Sequence, residues 1–86
     1  MPEISRFYGI VIRMYYNDHA PPHFHAEYAG GEMIVDINTL GVIAGTLPPR
    51  ATGMVMEWAS QHQEELHDVW DNARKLQPLG RIEPLP

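Results

Sequence analysis

Asp18-His19-Ala20-Pro21-Pro22-His23-Phe24-His25-Ala26-Glu27-Tyr28, residues 18–28, is the stretch on which the reading of this chain turns. Pro21 and Pro22 lack backbone donors and hold φ near about −65°, so the chain turns or runs extended there. His23, His25 and Glu27 then alternate with Phe24, Ala26 and Tyr28, the period of two that marks a strand with one polar and one apolar face. On such a strand His23 and His25 project from the same side, roughly 7 Å apart. Three of the five histidines fall within this one segment. Neutral imidazoles suit both metal binding and proton transfer near neutral pH, so the segment is a candidate site.

Outward from it, further strands follow from composition and punctuation. Residues 7–16 (FYGIVIRMYY) are rich in β-branched and aromatic side chains and read as a strand before the proline turn. Ala29-Gly30-Gly31 supplies a tight hairpin connection after residues 23–28, because glycine accepts positive φ. Residues 32–37 alternate Met33, Val35 and Ile37 against Glu32, Ile34 and Asp36, and residues 42–46 make a short fourth strand after the turn Asn38-Thr39-Leu40-Gly41. Past Pro48-Pro49 the period changes. Val55, Trp58, Ala59, His62, Leu66, Val69, Trp70 and Ala73 recur every three or four residues, which predicts an amphipathic helix over about residues 49–76, opened by proline and stopped before Pro78. Residues 77–86 are proline-rich and read as an extended tail whose Leu79, Ile82 and Leu85 can pack back. The expected architecture is α+β, a single domain over residues 1–86: a four-stranded antiparallel meander against one long C-terminal helix.

Composition bounds the function. At 86 residues there is room for one core, and a partner chain or a second copy would add stability to a domain this small. The chain has no cysteine, which removes disulfides, thiolate nucleophiles and thiolate-ligated zinc. The first residues show neither a basic nor an apolar leader segment, and no run approaches a membrane span, so a cytoplasmic protein without membrane association is expected. The net charge of −5 argues against a general polyanion binder. The stretch from Glu57 to Asp71 carries five carboxylates and no lysine or arginine, a solvated helix face or a dock for a basic partner.

Two kinds of chemistry fit the histidine segment. As ligands, the pair His23 and His25 with His19, Asp18 or Glu27 as a third donor offers a three-donor set that leaves a position open, the pattern of a catalytic divalent metal such as zinc. As acid and base, His23 and His25, with His19, would serve proton transfer, and Arg6 or Arg13 would stabilise a phosphate-like transition state. Against both stands a plain polar strand face, its histidines bonded to neighbouring carboxylates or water. His62, on the apolar stripe of the helix, reads as a hydrogen-bonded core histidine.

Residues 4–16 (ISRFYGIVIRMYY), the segment 18–28, Leu47-Pro48-Pro49-Arg50, Glu57-Trp58-Ala59 and the ending Ile82-Glu83-Pro84-Leu85 together resemble a small bacterial family, domain of unknown function 4160. The PPHFH run is the most specific part. The resemblance implies a gene neighbour from a second family of unknown function, 2442, in an arrangement similar to a type II toxin–antitoxin module, with this chain as the toxin-like half and its neighbour as a small antitoxin-like partner. An activity on RNA is implied with it, carried by the suspects Arg6, Arg13, His19, His23 and His25. Nuclease toxins tend to be basic, and in that respect this acidic chain departs from the pattern.

Overall fold

A computed structural model describes residues 2–86 as one five-stranded antiparallel sheet with two helices. The strands, β1 (Glu3–Phe7), β2 (Ile10–Arg13), β3 (His23–Tyr28), β4 (Gly31–Asp36) and β5 (Val42–Gly45), lie side by side in chain order. The fold is α+β with a meander, but the segment expected as a single strand over 7–16 is divided. Tyr8 and Gly9 both take positive φ, 51° and 81°, and Phe7 pairs with Ile10 across a two-residue turn. Both central residues of such a turn need positive φ, and only Gly9 of the pair advertises it, so the β-rich composition masked the reversal. Ala29 and Gly30 make the same kind of turn between β3 and β4, closing on the pair Tyr28 and Gly31.

The expected single helix is also two: α1 (Pro49–Gln61) and α2 (Gln63–Arg74). His62 sits between them at φ −128°, outside helical geometry. Its N–H reaches Ala59 O in a tightened turn, while its carbonyl starts the next helix by accepting from Leu66 N. Gln63 holds the break in place, its side-chain amide donating to the carbonyls of Ile37 and Asn38 after β4, at 2.7 and 3.0 Å. Glu64 and Glu65 then fall in the first turn of α2, where the helix dipole favours negative charge.

Strand alternation decides which face the helices cover. Ile12, Ala26 and Met33 stand in register on one side of the sheet, with Phe24 opposite Val35, and all five are buried. Trp58 of α1 enters this layer between Phe7 and Phe24, ring centroids 5.5 and 5.7 Å away, and its indole N–H donates to Glu83 O at 2.8 Å. Residues 77–86 have no regular structure, yet Leu79, Ile82 and Leu85 are buried in the same core. Ile82 N–H donates to Ile4 O at 2.7 Å, so the final segment runs along the outer edge of β1. The opposite face of the sheet carries Val11, Arg13, His25, Glu27, Ile34 and Asp36, all half-buried, with Glu32 exposed among them.

Two local constraints yield predictions. Gly45 holds φ +75° at the β4–β5 irregularity, and a Cβ there would be driven into the carbonyl of Glu32. Gly45→Ala is expected to lower the unfolding free energy by about 2 kcal/mol or more, read by urea denaturation. Glu3 accepts hydrogen bonds from Arg6 and Arg81, which hold its carboxyl at about 2 instead of 4.5. A lowered folded-state value stabilises the fold above the ordinary value, and the contribution fades as pH falls from about 4.5 to about 2. The stability gap between the native chain and Glu3→Gln should therefore be present at pH 7, shrink below pH 4.5 and vanish near pH 2, as followed by thermal denaturation across that range.

Candidate metal centre

The β2–β3 connection brings Asp18 back over the first residues of β3. Pro22 O accepts from Ile37 N at 2.9 Å and Asn17 N–H donates to Ala73 O at 3.2 Å, so the connection is tied both to the end of β4 and to the last turn of α2. The Ala20–Pro21 peptide is cis. Asp18 Oδ1 accepts from the His19 N–H at 2.9 Å, which turns the other carboxylate oxygen toward β3. There Oδ2 lies 2.9 Å from His23 Nε2 and 3.7 Å from His25 Nε2. Asp18, His23 and His25 each present one donor atom, and all three atoms lie within 4.8 Å of one another.

The outer nitrogens explain the orientation of both rings. His23 Nδ1 lies 2.7 Å from the Pro21 carbonyl, and His25 Nδ1 lies 3.0 Å from Glu32 Oε2. A carbonyl and an ionised carboxylate can only accept, so both Nδ1 atoms carry the proton. The neutral forms of both histidines then aim Nε2 lone pairs at the same carboxylate oxygen. His25 Nε2 is buried and makes no hydrogen bond. His23 Nε2 can meet Asp18 by a hydrogen bond, whereas His25 Nε2 has no such partner, and a cation at the meeting point would satisfy both nitrogens and the carboxylate. Metal-bound imidazoles commonly donate the other ring N–H to a carboxylate or a backbone carbonyl, and the acceptors here are one of each, Glu32 and Pro21.

Aromatic rings wall the cluster. His23 is buried against Trp70 of α2 at 5.2 Å, and the Tyr15 ring meets His25 edge-on at 4.5 Å. Burial, with the nearby charges of Glu27 and Glu32, pushes the Tyr15 phenol up. Burial alone would raise the Asp18 carboxyl, but the His19 N–H and the charge and hydrogen bond of His23 outweigh it and hold the group below its ordinary value.

Of the residues singled out from the sequence, Asp18, His23 and His25 come together. The His19 side chain is 95% exposed and meets only the far oxygen of Asp18, at 3.4 Å. Arg13 stands directly across from His25 on β2 and pairs with Glu27 at 3.1 Å. Arg6, on β1, pairs with Glu3 away from the cluster. Glu32 and the Pro21 carbonyl were not singled out. Glu32 becomes legible only when the Ala29-Gly30 turn fixes the β3–β4 register, which sets it diagonally beside His25. His62 bonds Glu65 at 2.6 Å and packs on Trp58, a satisfied half-buried histidine rather than a member of the site.

An α+β meander bearing a compact carboxylate–histidine cluster at the mouth of its central strand is thus the class of protein at hand. The chain belongs to the family described as Domain of unknown function (DUF4160), whose model matches residues 9–71 and so spans Asp18, His23, His25 and Glu32 but not Arg6. Comparison with curated proteins and with solved structures finds no match. No helix among the described residues is long and apolar enough to cross a membrane.

Proposed function

We propose that this protein is a metal-binding domain that holds one divalent ion of the zinc class through Asp18, His23 and His25. The observation that carries the reading is the convergence of both Nε2 atoms on Asp18 Oδ2 while both Nδ1 atoms are committed elsewhere. Tetrahedral ligands about 2.0–2.2 Å from an ion stand about 3.3–3.6 Å apart, and the separations of 2.9 and 3.7 Å bracket that range. An acid–base role for the same histidines is less well supported. A proton-transfer group needs a nitrogen facing its reactant, and all four ring nitrogens of His23 and His25 face Asp18, Pro21 or Glu32. Three protein donors leave at least one coordination position for water or another small ligand, with Arg13 the nearest cation in register.

Titration with Zn(II) or Co(II) is expected to give one site per chain. His23→Ala or His25→Ala should weaken it by more than about 100-fold, beyond the effect of losing an outer partner. A free-ion concentration of about 100 times Kd should raise the unfolding free energy by about 2.7 kcal/mol, a gain abolished by a chelator. Absence of binding to the native chain would defeat the reading.

A second reading concerns the setting of the site, the toxin-like half of a two-protein module that acts on RNA and is neutralised by a small partner. Beyond the family resemblance, the sheet edges support a partner. The segment around Ile82 lies along β1, whereas β5 is an edge strand with Val42 and Ile43 each 48% exposed. Such an edge accepts an added strand. Expression without the neighbouring protein is expected to arrest growth, and co-expression to relieve it. Growth unaffected in both cases would remove the toxin role.

A further inference from the structure

We infer that Glu32 is the positioning carboxylate of the metal centre, setting which nitrogen of His25 meets the ion and how strongly that nitrogen donates. This rests on the metal reading above and assigns a residue that neither the histidine motif nor the three-donor cluster contains.

The sheet registers carry the inference. Glu27 and Glu32 are direct cross-strand partners, a placement of like charges that ordinarily destabilises a sheet. Each finds a different neighbour, a cation for one and a ring N–H for the other. Glu27 accepts from Arg13 at 3.1 Å, and Glu32 accepts from His25 at 3.0 Å. The two carboxylates therefore do different work in spite of their symmetric positions: one neutralises an arginine and the other aims an imidazole. Their separation is dictated by the two-residue Ala29-Gly30 turn, since any other loop length would shift the register and remove Glu32 from His25.

Without Glu32 the acceptor left beside the His25 ring is Asp18, on the Nε2 side. His25 Nε2 lies 3.7 Å from an oxygen that accepts hydrogen bonds, so a proton would move readily to that side and occupy the ligand position. With Glu32 in place the proton stays on Nδ1 and the Nε2 lone pair remains available, unsatisfied and buried, until an ion arrives. Negative charge on Glu32 also raises the basicity of the ring as a ligand. The Glu32 side chain is 47% exposed while that of His25 is 13% exposed, so the group that sets the ligand is more open to solvent than the ligand itself.

The test compares the native chain with Glu32→Ala and Glu32→Gln, using Zn(II) alone as the probe and ¹⁵N–¹H correlation of the imidazoles as a second readout. Glu32→Ala should bind one Zn(II) about 10–100-fold more weakly, and in the metal-free protein the His25 signals should shift toward the form protonated on Nε2. Glu32→Gln keeps an accepting oxygen without the charge. It should retain the native pattern of imidazole protonation and lose a smaller part of the affinity. Affinities within about threefold of the native chain in both variants, or an unchanged His25 protonation pattern in Glu32→Ala, would overturn the assignment. The native chain is the control that separates the two readings. If it binds no zinc, the metal centre itself fails; if it binds zinc and Glu32→Ala binds equally well, only the role of Glu32 fails.

Discussion

The burial of Trp58 is the constraint on which the remaining architecture depends. A small domain has little apolar surface to spare, and a tryptophan is the largest single block of it. Here the indole is fully buried between Phe7 of β1 and Phe24 of β3, so one side chain spans the sheet from its edge strand to its centre. A buried indole N–H needs an acceptor, and Glu83 O supplies it. Satisfying that donor draws residues 82–85 onto the core and along β1. The edge is thereby occupied, and Glu3 and Arg81 fall within ion-pair reach.

The carboxylate–histidine cluster lies on the other face of β3 from this frame. Phe24 points into the core, which obliges His23 and His25 to point away from it, and the strand period alone then sets them side by side. What the frame does not supply is Asp18. That residue comes from a loop, and loops wander unless tied; the ties are Asn17 to α2, Pro22 to the end of β4 and the His19 N–H to Asp18 itself. The His23 ring against Trp70 ties the same corner to α2. Site and helix are therefore joined at two points, Asn17 to Ala73 and His23 to Trp70.

Much of this was legible in the sequence, and the failures have physical causes. Residues 23–28 could be bounded to the residue because apolar and polar side chains alternate between a proline pair and a glycine pair. The break at His62 was invisible because His62 preserves the helical spacing of apolar positions. The interruption comes from Gln63 reaching carbonyls after β4, a tertiary contact that no local pattern reports. The turn at Tyr8-Gly9 was hidden by a tyrosine in a position where asparagine would have announced it. For the site, Asp18, His23 and His25 were readable from spacing. His19, equally prominent in the sequence, projects into solvent because the chain turns between it and the strand.

The arrangement of hydrogen-bond acceptors separates this cluster from a catalytic triad of the acid–base kind. In a triad the carboxylate orients one nitrogen and the other faces the reacting group. Here the order is inverted: outer acceptors, Pro21 O and Glu32, take the Nδ1 protons, and the carboxylate at the centre faces both remaining nitrogens. A polypeptide gains nothing by aiming the buried lone pair of His25 at a negative charge, and moving the ring proton from Nδ1 to Nε2 would relieve it. Against that relief stands Glu32, which accepts from Nδ1 across a register-locked hairpin. A conformation maintained against an available relief is consistent with the proposed cation at the point where the three donors meet.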